Sequence, residues 1–288
     1  MRALAELIMR RRVNAIAVAV IACAVPMMFW LSAATVALVT LRRGWWHDGL
    51  QIFAWTLLPA GIWAWTGQPS ALFCLTGTAA MACSLRRTAS WPAALMTLVP
   101  AGALMALVIS DYYSPQIALA MNMLQRLYGP NLGTLFPEGT SLSQEEILTL
   151  LETSVVRTVS FAIAGGAVLA LILARSWQAT LYNPNGFRAE FHRLRLTPGM
   201  AAVLSGSWFL AMFSTNMVAV AIRPVLLMPL LVAGVALMHG LAGLRKFGKA
   251  GLVPCYILLL TFYPAVVLLA CLDSLLNFRG RLESRTQG

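Results

Sequence analysis

Three histidines, five cysteines and ten carboxylates are the side chains of this 288-residue chain that could hold a metal, attack a substrate or move a proton. His47, His192 and His239 are scattered, and His47 beside Asp48 reads as a solvated interfacial pair rather than a metal site. Cys23, Cys74, Cys83, Cys255 and Cys271 all fall in apolar segments, and none forms a CxxC pair. That pattern is the one expected of buried free thiols. No glycine-rich phosphate loop, Ser-His-Asp order or zincin motif is present. The expectation is a protein that is not an enzyme and uses no cofactor and no metal. Energised transport would need a separate ATPase or an ion gradient.

The charges that stand out are those set among apolar residues. Glu152 and Arg157 lie in one helical segment that continues to Ala174 without another charge. A charge inside a membrane normally pairs, faces water or snorkels. Both residues are therefore ligand-binding candidates, and Arg157 is close enough to the segment's edge to snorkel. Asp273 shares a helix face with Asn277, and Arg279 follows. Pairing of Asp273 with a basic residue would tie down the chain end; ligand binding is its second reading.

The most distinctive segment is an elbow over residues 175–198. Trp177 and Tyr182 are residue types of a membrane interface, and Asn183-Pro184-Asn185-Gly186 is a strong turn signal. Phe187, Phe191 and Leu194 then recur at i, i+4 and i+7, with Arg188, His192 and Arg195 one residue on. The spacing predicts an amphipathic helix that docks on lipid or on a partner protein. Trp177, Tyr182, Asn183, Pro184, Gly186, Phe187, Arg188, Glu190, Phe191 and Arg195 are its interface candidates.

The elements that position these residues follow from composition. Hydrophobic residues make up 59% of the chain and charged residues 11%, with mean hydropathy +0.76. A soluble domain carries about 25% charged residues, so a soluble enzyme and a disordered chain are both excluded. The net charge of +11 comes without aromatic-basic clusters or zinc spacing, which argues against nucleic acid as a partner. Eight apolar stretches stand out: Val13–Leu41, Leu50–Trp65, Ala71–Leu85, Trp91–Ser110, Val155–Ala174, Met200–Ile222, Val225–Ala242 and Leu252–Leu272. They are apolar on all sides, which predicts helices rather than barrel strands. The first is long for one crossing, and Pro26 near its middle predicts a bent hairpin. Stripes of small residues at Ala15/Ala19, Ala33/Ala37 and Ala162/Gly166/Ala170 predict close helix packing.

The expected fold is therefore all-α: one polytopic membrane domain over 1–288, with about eight to ten membrane-crossing or re-entrant helices. With residues 1–12 and the elbow cytoplasmic, 15 basic residues fall inside and 3 outside, as the positive-inside rule requires. The acidic segment 111–151 is the expected outer loop, with a surface helix over Gln116–Tyr128 and a capping box at Ser143 and Glu146. The tail, 274–288, stays open. One crossing by Leu252–Leu272 puts its arginines outside, and a break at Pro264 returns them inside.

The elbow pairs Asn183-Pro184, Gly186-Phe187 and Glu190-Phe191, with Leu272-Asp273-Ser274 and Phe278-Arg279, resemble the YybS-like family of bacterial membrane proteins. Leu41-Arg42-Arg43-Gly44 is similar to that family's early pattern, although Asn185 stands where many relatives have glycine. The likeness covers most of the chain and implies a multi-pass protein of a bacterial inner membrane. That family has no established function. It is distantly similar to the substrate-binding membrane subunits of energy-coupling-factor vitamin transporters, which implies a ligand cavity among the helices and no catalytic residue. The expected function is a transport-related, ligand-binding membrane subunit without its own ATPase. The alternative is a non-transporting scaffold that docks a membrane or cytoplasmic protein through its elbow. The expected partners are the lipid bilayer, such a protein, and a small-molecule ligand.

Overall fold

The computed structural model describes residues 2–128, 143–244 and 249–287, and no strand occurs among them. The helices are α1 (Arg2–Arg10), α2 (Arg12–Ala24), α3 (Phe29–Arg43), α4 (Leu50–Trp65), α5 (Ser70–Thr88), α6 (Trp91–Tyr128), α7 (Gln144–Tyr182), α8 (Gly186–Arg193), α9 (Pro198–Met212), α10 (Met217–Leu244), α11 (Val253–Thr261), α12 (Tyr263–Leu276) and α13 (Phe278–Gln287). A π-helical turn over Trp45–Gly49 joins α3 to α4.

The first apolar stretch does fold as a hairpin. Pro26 supplies no backbone N–H, and Met27 takes a left-handed φ of 63°, so the chain reverses between α2 and α3. The feet of the hairpin meet: Arg43 donates to the Met9 carbonyl at 2.6 Å, and Arg12 pairs with Asp48. α4 returns alongside α2, where the Trp63 indole donates to the Cys23 carbonyl at 2.9 Å.

α3 is the centre of the bundle. Every residue from Ser32 to Leu41 is buried, and α3 packs on α2, α5 and α7. A helix apolar on all sides belongs inside. The Ala15/Ala19 and Ala33/Ala37 stripes lie in this packing, but Ala162 is exposed and α7 turns Ala164, Ala167 and Ala170 inward instead. A second packing centre is α10, which meets α6, α7, α9 and α12. Gly102 of α6 makes one of these approaches: a Cβ there would lie 2.3 Å from a Val225 methyl.

Among the described residues, three helices carry stretches long and apolar enough to cross a membrane: Trp91–Val108 in α6, Glu145–Tyr182 in α7 and Met217–Gly243 in α10. α11 and α12 add a fourth only when taken together, and they bend by 111°. The expectation of eight to ten crossings is therefore not met. α2, α3, α4 and α9 have 13 to 16 residues, or roughly 20–24 Å at 1.5 Å per residue, short of a ~30 Å hydrocarbon core. α5 reaches 19 residues, but its last turn holds Arg86 and Arg87, so no stretch of it is both long and apolar enough.

Two boundaries also differ from expectation. Residues 111–128 are not loop, because α6 runs unbroken through Pro115 to Tyr128, and no separate surface helix forms. Only 129–143 lies between α6 and α7, and of it 129–142, with Pro130, Gly133, Pro137, Glu138 and Gly139, falls outside the described residues. α7 starts where the capping box predicts: the Glu146 amide donates to Ser143 Oγ at 3.3 Å, and the Ser143 amide to Glu146 at 2.7 Å. Stretch Met200–Ile222 breaks at Phe213–Asn216, whereas α10 passes straight through Pro224 and Pro229. Asn216 Oδ1 accepts from the Val218 amide at 2.8 Å, and Arg223 reaches back to the Ala211 and Ser214 carbonyls. Those contacts close α9 and open α10.

At the chain's end, α11 and α12 meet at Phe262, with Pro264 in the first turn of α12. The Tyr256 hydroxyl touches His239 at 3.1 Å, and Arg279 binds α8. Both arms of the bent pair therefore lie against the end of the bundle that carries the elbow.

Candidate functional site

Arginines gather at that elbow end because the C-termini of α1, α3, α5, α7, α8 and α10 converge there or close by. A helix C-terminus carries unsatisfied carbonyls and partial negative charge, which guanidinium groups complement. Arg86 donates to the Leu41 carbonyl at 2.6 Å and Arg43 to that of Met9. Asp48, only 3% exposed, takes Arg43 at 2.8 Å and also Arg12. The sequence paired Asp48 with exposed His47, and the structure replaces that pair with two arginines.

The elbow is held from both sides. Asn185 takes a left-handed φ of 68°, and the chain folds back so that Glu190 meets Arg175 through both carboxylate oxygens, at 2.9 Å for Nε. Arg175 also donates to Gln178, and Arg42 lies 4.1 Å over the Tyr182 ring. From below, Arg279 donates to the His192 carbonyl at 2.5 Å, the Leu194 carbonyl at 2.8 Å and Asp273 at 2.7 Å. The other Asp273 oxygen accepts from the Phe278 amide at 3.0 Å. Asp273 and Arg279 are both buried, so the clasp fixes α8, α12 and α13 in one piece. Both Asp273 oxygens are thus engaged within the protein.

The amphipathic helix exists, but its apolar face turns inward. Phe191 is buried, in edge contact with the His239 ring, and Phe187 packs on Trp91. Trp177 is 2% exposed, and Arg195 keeps one guanidinium nitrogen buried. The expected interface roles of Phe187, Phe191, Trp177 and Arg195 are corrected accordingly: α10 and α6 offer the apolar surface that lipid was expected to offer. Gly186 is half-buried at the turn, and Glu190 is half-buried in its ion pair. Tyr182, Asn183, Pro184 and Arg188 remain exposed, and Arg193 joins them. The indole N–H groups of Trp91 and Trp177 are buried without a partner among the described residues.

Burial pushes the His192 pKa below its ordinary value, and Arg188, His239 and Arg279 push it the same way. His239 bridges two helices, with Nδ1 on the Val235 carbonyl at 3.1 Å and Nε2 on the Tyr256 hydroxyl. The carbonyl can only accept, so Nδ1 carries the hydrogen of that bond.

The opposite end is sparse. Arg157 is exposed and bonds only within its own helix, to the Thr153 carbonyl at 3.2 Å and Ser154 Oγ at 3.3 Å. Arg223 of α10 lies near enough for the two like charges to oppose each other. Among the described residues neither has a carboxylate partner, and Glu152 stands half-buried on the same helix as Arg157 without pairing to it.

The void among α5, α6 and α7, lined by Gly77, Leu98 and Ala167, measures about 10 Å³, too small for more than a water. Larger spaces lie at the elbow end: about 210 Å³ between Arg42, Arg175, Tyr182 and Glu190, and about 630 Å³ between α10, α11, α12 and α13.

Sequence reading missed Arg175–Glu190, Arg223 and the two arginines on Asp48. The first was within reach, because the turn at Asn183–Gly186 folds residue 190 back toward 175; the others depend on contacts between distant segments. Among the described residues no group of three or more metal-ligating side chains occurs. No family model, curated protein or solved structure matches the chain. The described residues define a class, a helical bundle with three helices of membrane-crossing length among them.

Proposed function

We propose that this chain is a transport-related subunit of a bacterial inner membrane that binds an anionic ligand at its sparse end and has no ATPase of its own. The observation that carries the reading is the Arg157–Arg223 pair, two like charges on adjoining apolar helices, neither with a carboxylate partner among the described residues. A charge in such a place is costly unless something pairs with it, and an anion supplies the missing partner. The basic end then faces the cytoplasm, by the positive-inside rule. Glu152, half-buried on the same helix, stays the second ligand-binding candidate of this end.

The test is a thermal-shift screen of anionic metabolites on the detergent-purified protein, since a ligand that binds only the folded state raises its apparent stability. At least one anion stabilises the wild type, and Arg157→Gln abolishes the shift. A screen without any shift, together with unchanged uptake in a deletion strain, removes the reading.

The exposed edge Tyr182, Asn183, Pro184 and Arg188 supports a second reading, a scaffold that docks a protein on its elbow. Its support is rigidity, because Arg175 and Arg279 hold the elbow from both sides. Photocrosslinking from position 188 then captures one dominant protein; capture of lipid alone removes it.

A further inference from the structure

The cleft of about 630 Å³ beneath the bent pair is of ligand size. Its walls are apolar: Met238 and Leu241 from α10, Cys255 and Leu258 from α11, and Leu269 from α12. Arg281 of α13, an exposed residue, also lines it. The medium outside the cleft is set by α11, none of whose residues is buried. Ile257 is 56% and Leu260 85% exposed on that helix. An apolar helix so bare is at home among acyl chains, and its bend brings it back to the basic end, where phospholipid headgroups lie.

We propose that this cleft is a binding site for one anionic phospholipid, with an acyl chain between α10 and α11 and the headgroup phosphate on Arg281. Charge complementarity selects the anionic lipid, since Arg281 adds to a face already rich in arginine and the chain carries a net charge of +11. The lipid closes the gap that the 111° bend leaves beside α10. The inference rests on the membrane reading above and not on the Arg157–Arg223 site.

Cys255 on the cleft wall is a built-in reporter. Its alkylation by N-ethylmaleimide is followed peptide by peptide with mass spectrometry, on purified protein in mixed micelles of phosphatidylglycerol or phosphatidylcholine. Phosphatidylglycerol slows Cys255 labelling about fivefold relative to phosphatidylcholine, the share that one basic side chain contributes at an anionic surface. Arg281→Gln removes the difference and Arg281→Lys keeps it. Leu258→Trp, which fills the cleft, slows Cys255 in either lipid and removes the dependence on headgroup. Equal rates in the two lipids overturn the proposal, as does protection that survives Arg281→Gln. Protection present in native membranes but not restored by phosphatidylglycerol also overturns it and assigns the cleft to a protein partner. Release of the protein from washed membranes without detergent would defeat the membrane reading itself, which keeps the two failures apart.

Discussion

The two ends of the bundle treat arginine in opposite ways. At the elbow end Arg43, Arg86, Arg175 and Arg279 each find a carbonyl or a carboxylate, and Arg279 finds three acceptors at once. At the other end Arg157 has only its own helix, and Arg223 caps α9 while facing a like charge. The contrast separates charges that hold the fold from charges left over for something else. Buried charges matched by neighbours are costly to disturb; exposed, unmatched ones can be removed with little loss.

The largest expected effect breaks the elbow-end clasp. Arg279→Met strands a buried Asp273 and two carbonyls and costs about 3–5 kcal/mol, read as a fall in thermal unfolding temperature in detergent. Arg157→Met at the other end costs under about 0.5 kcal/mol. Equal losses would erase the contrast. Arg279→Met with Asp273→Leu recovers part of the loss, because no charge is then left alone.

Next comes the Arg175–Glu190 pair, partly exposed on both sides. A double-mutant cycle with Arg175→Gln and Glu190→Gln gives a coupling of about 1 kcal/mol. A value near zero would mean that the turn at Asn183–Gly186 seats the elbow alone. Arg42→Ala removes the stacking on Tyr182 and costs about 0.5 kcal/mol; a larger loss would make the rim of the elbow pocket structural.

The smallest effect is that of His192. Its depressed pKa favours the neutral ring in the folded state, so its contribution is fully present above the ordinary value of 6.5 and is lost as pH falls through the folded value. Unfolding temperature therefore declines on acidification below about 6.5, and His192→Gln shallows that decline. A decline identical in wild type and variant would point to other groups at the elbow.

Much of this was legible in the chain. Pro26 in a stretch too long for one crossing announced the hairpin, and Ser143 with Glu146 announced the start of α7, because both signals are local. The count of crossings was not, because hydropathy reports what a segment is made of and not where its helix stops. Nor was the break before α10: Pro224 and Pro229 look like stronger breakers than Ser214-Thr215-Asn216, and only the reach of Arg223 back to α9 decides it. For the elbow, periodicity correctly grouped Phe187 with Phe191. It left open whether that face meets lipid or protein, since the same pattern suits either. Asp273 was legible as a charge in want of a partner, and the partner is the Arg279 that followed it.

The Asp273–Arg279 clasp also sets an order of events. Arg279 is synthesised 87 residues after His192, whose carbonyl it binds. At 5–20 residues per second, roughly 4 to 17 s pass between the two. During that interval the elbow's residues have been made, and the His192 and Leu194 carbonyls lack the donor that the finished protein gives them. The final turn of the elbow is therefore locked by a latecomer.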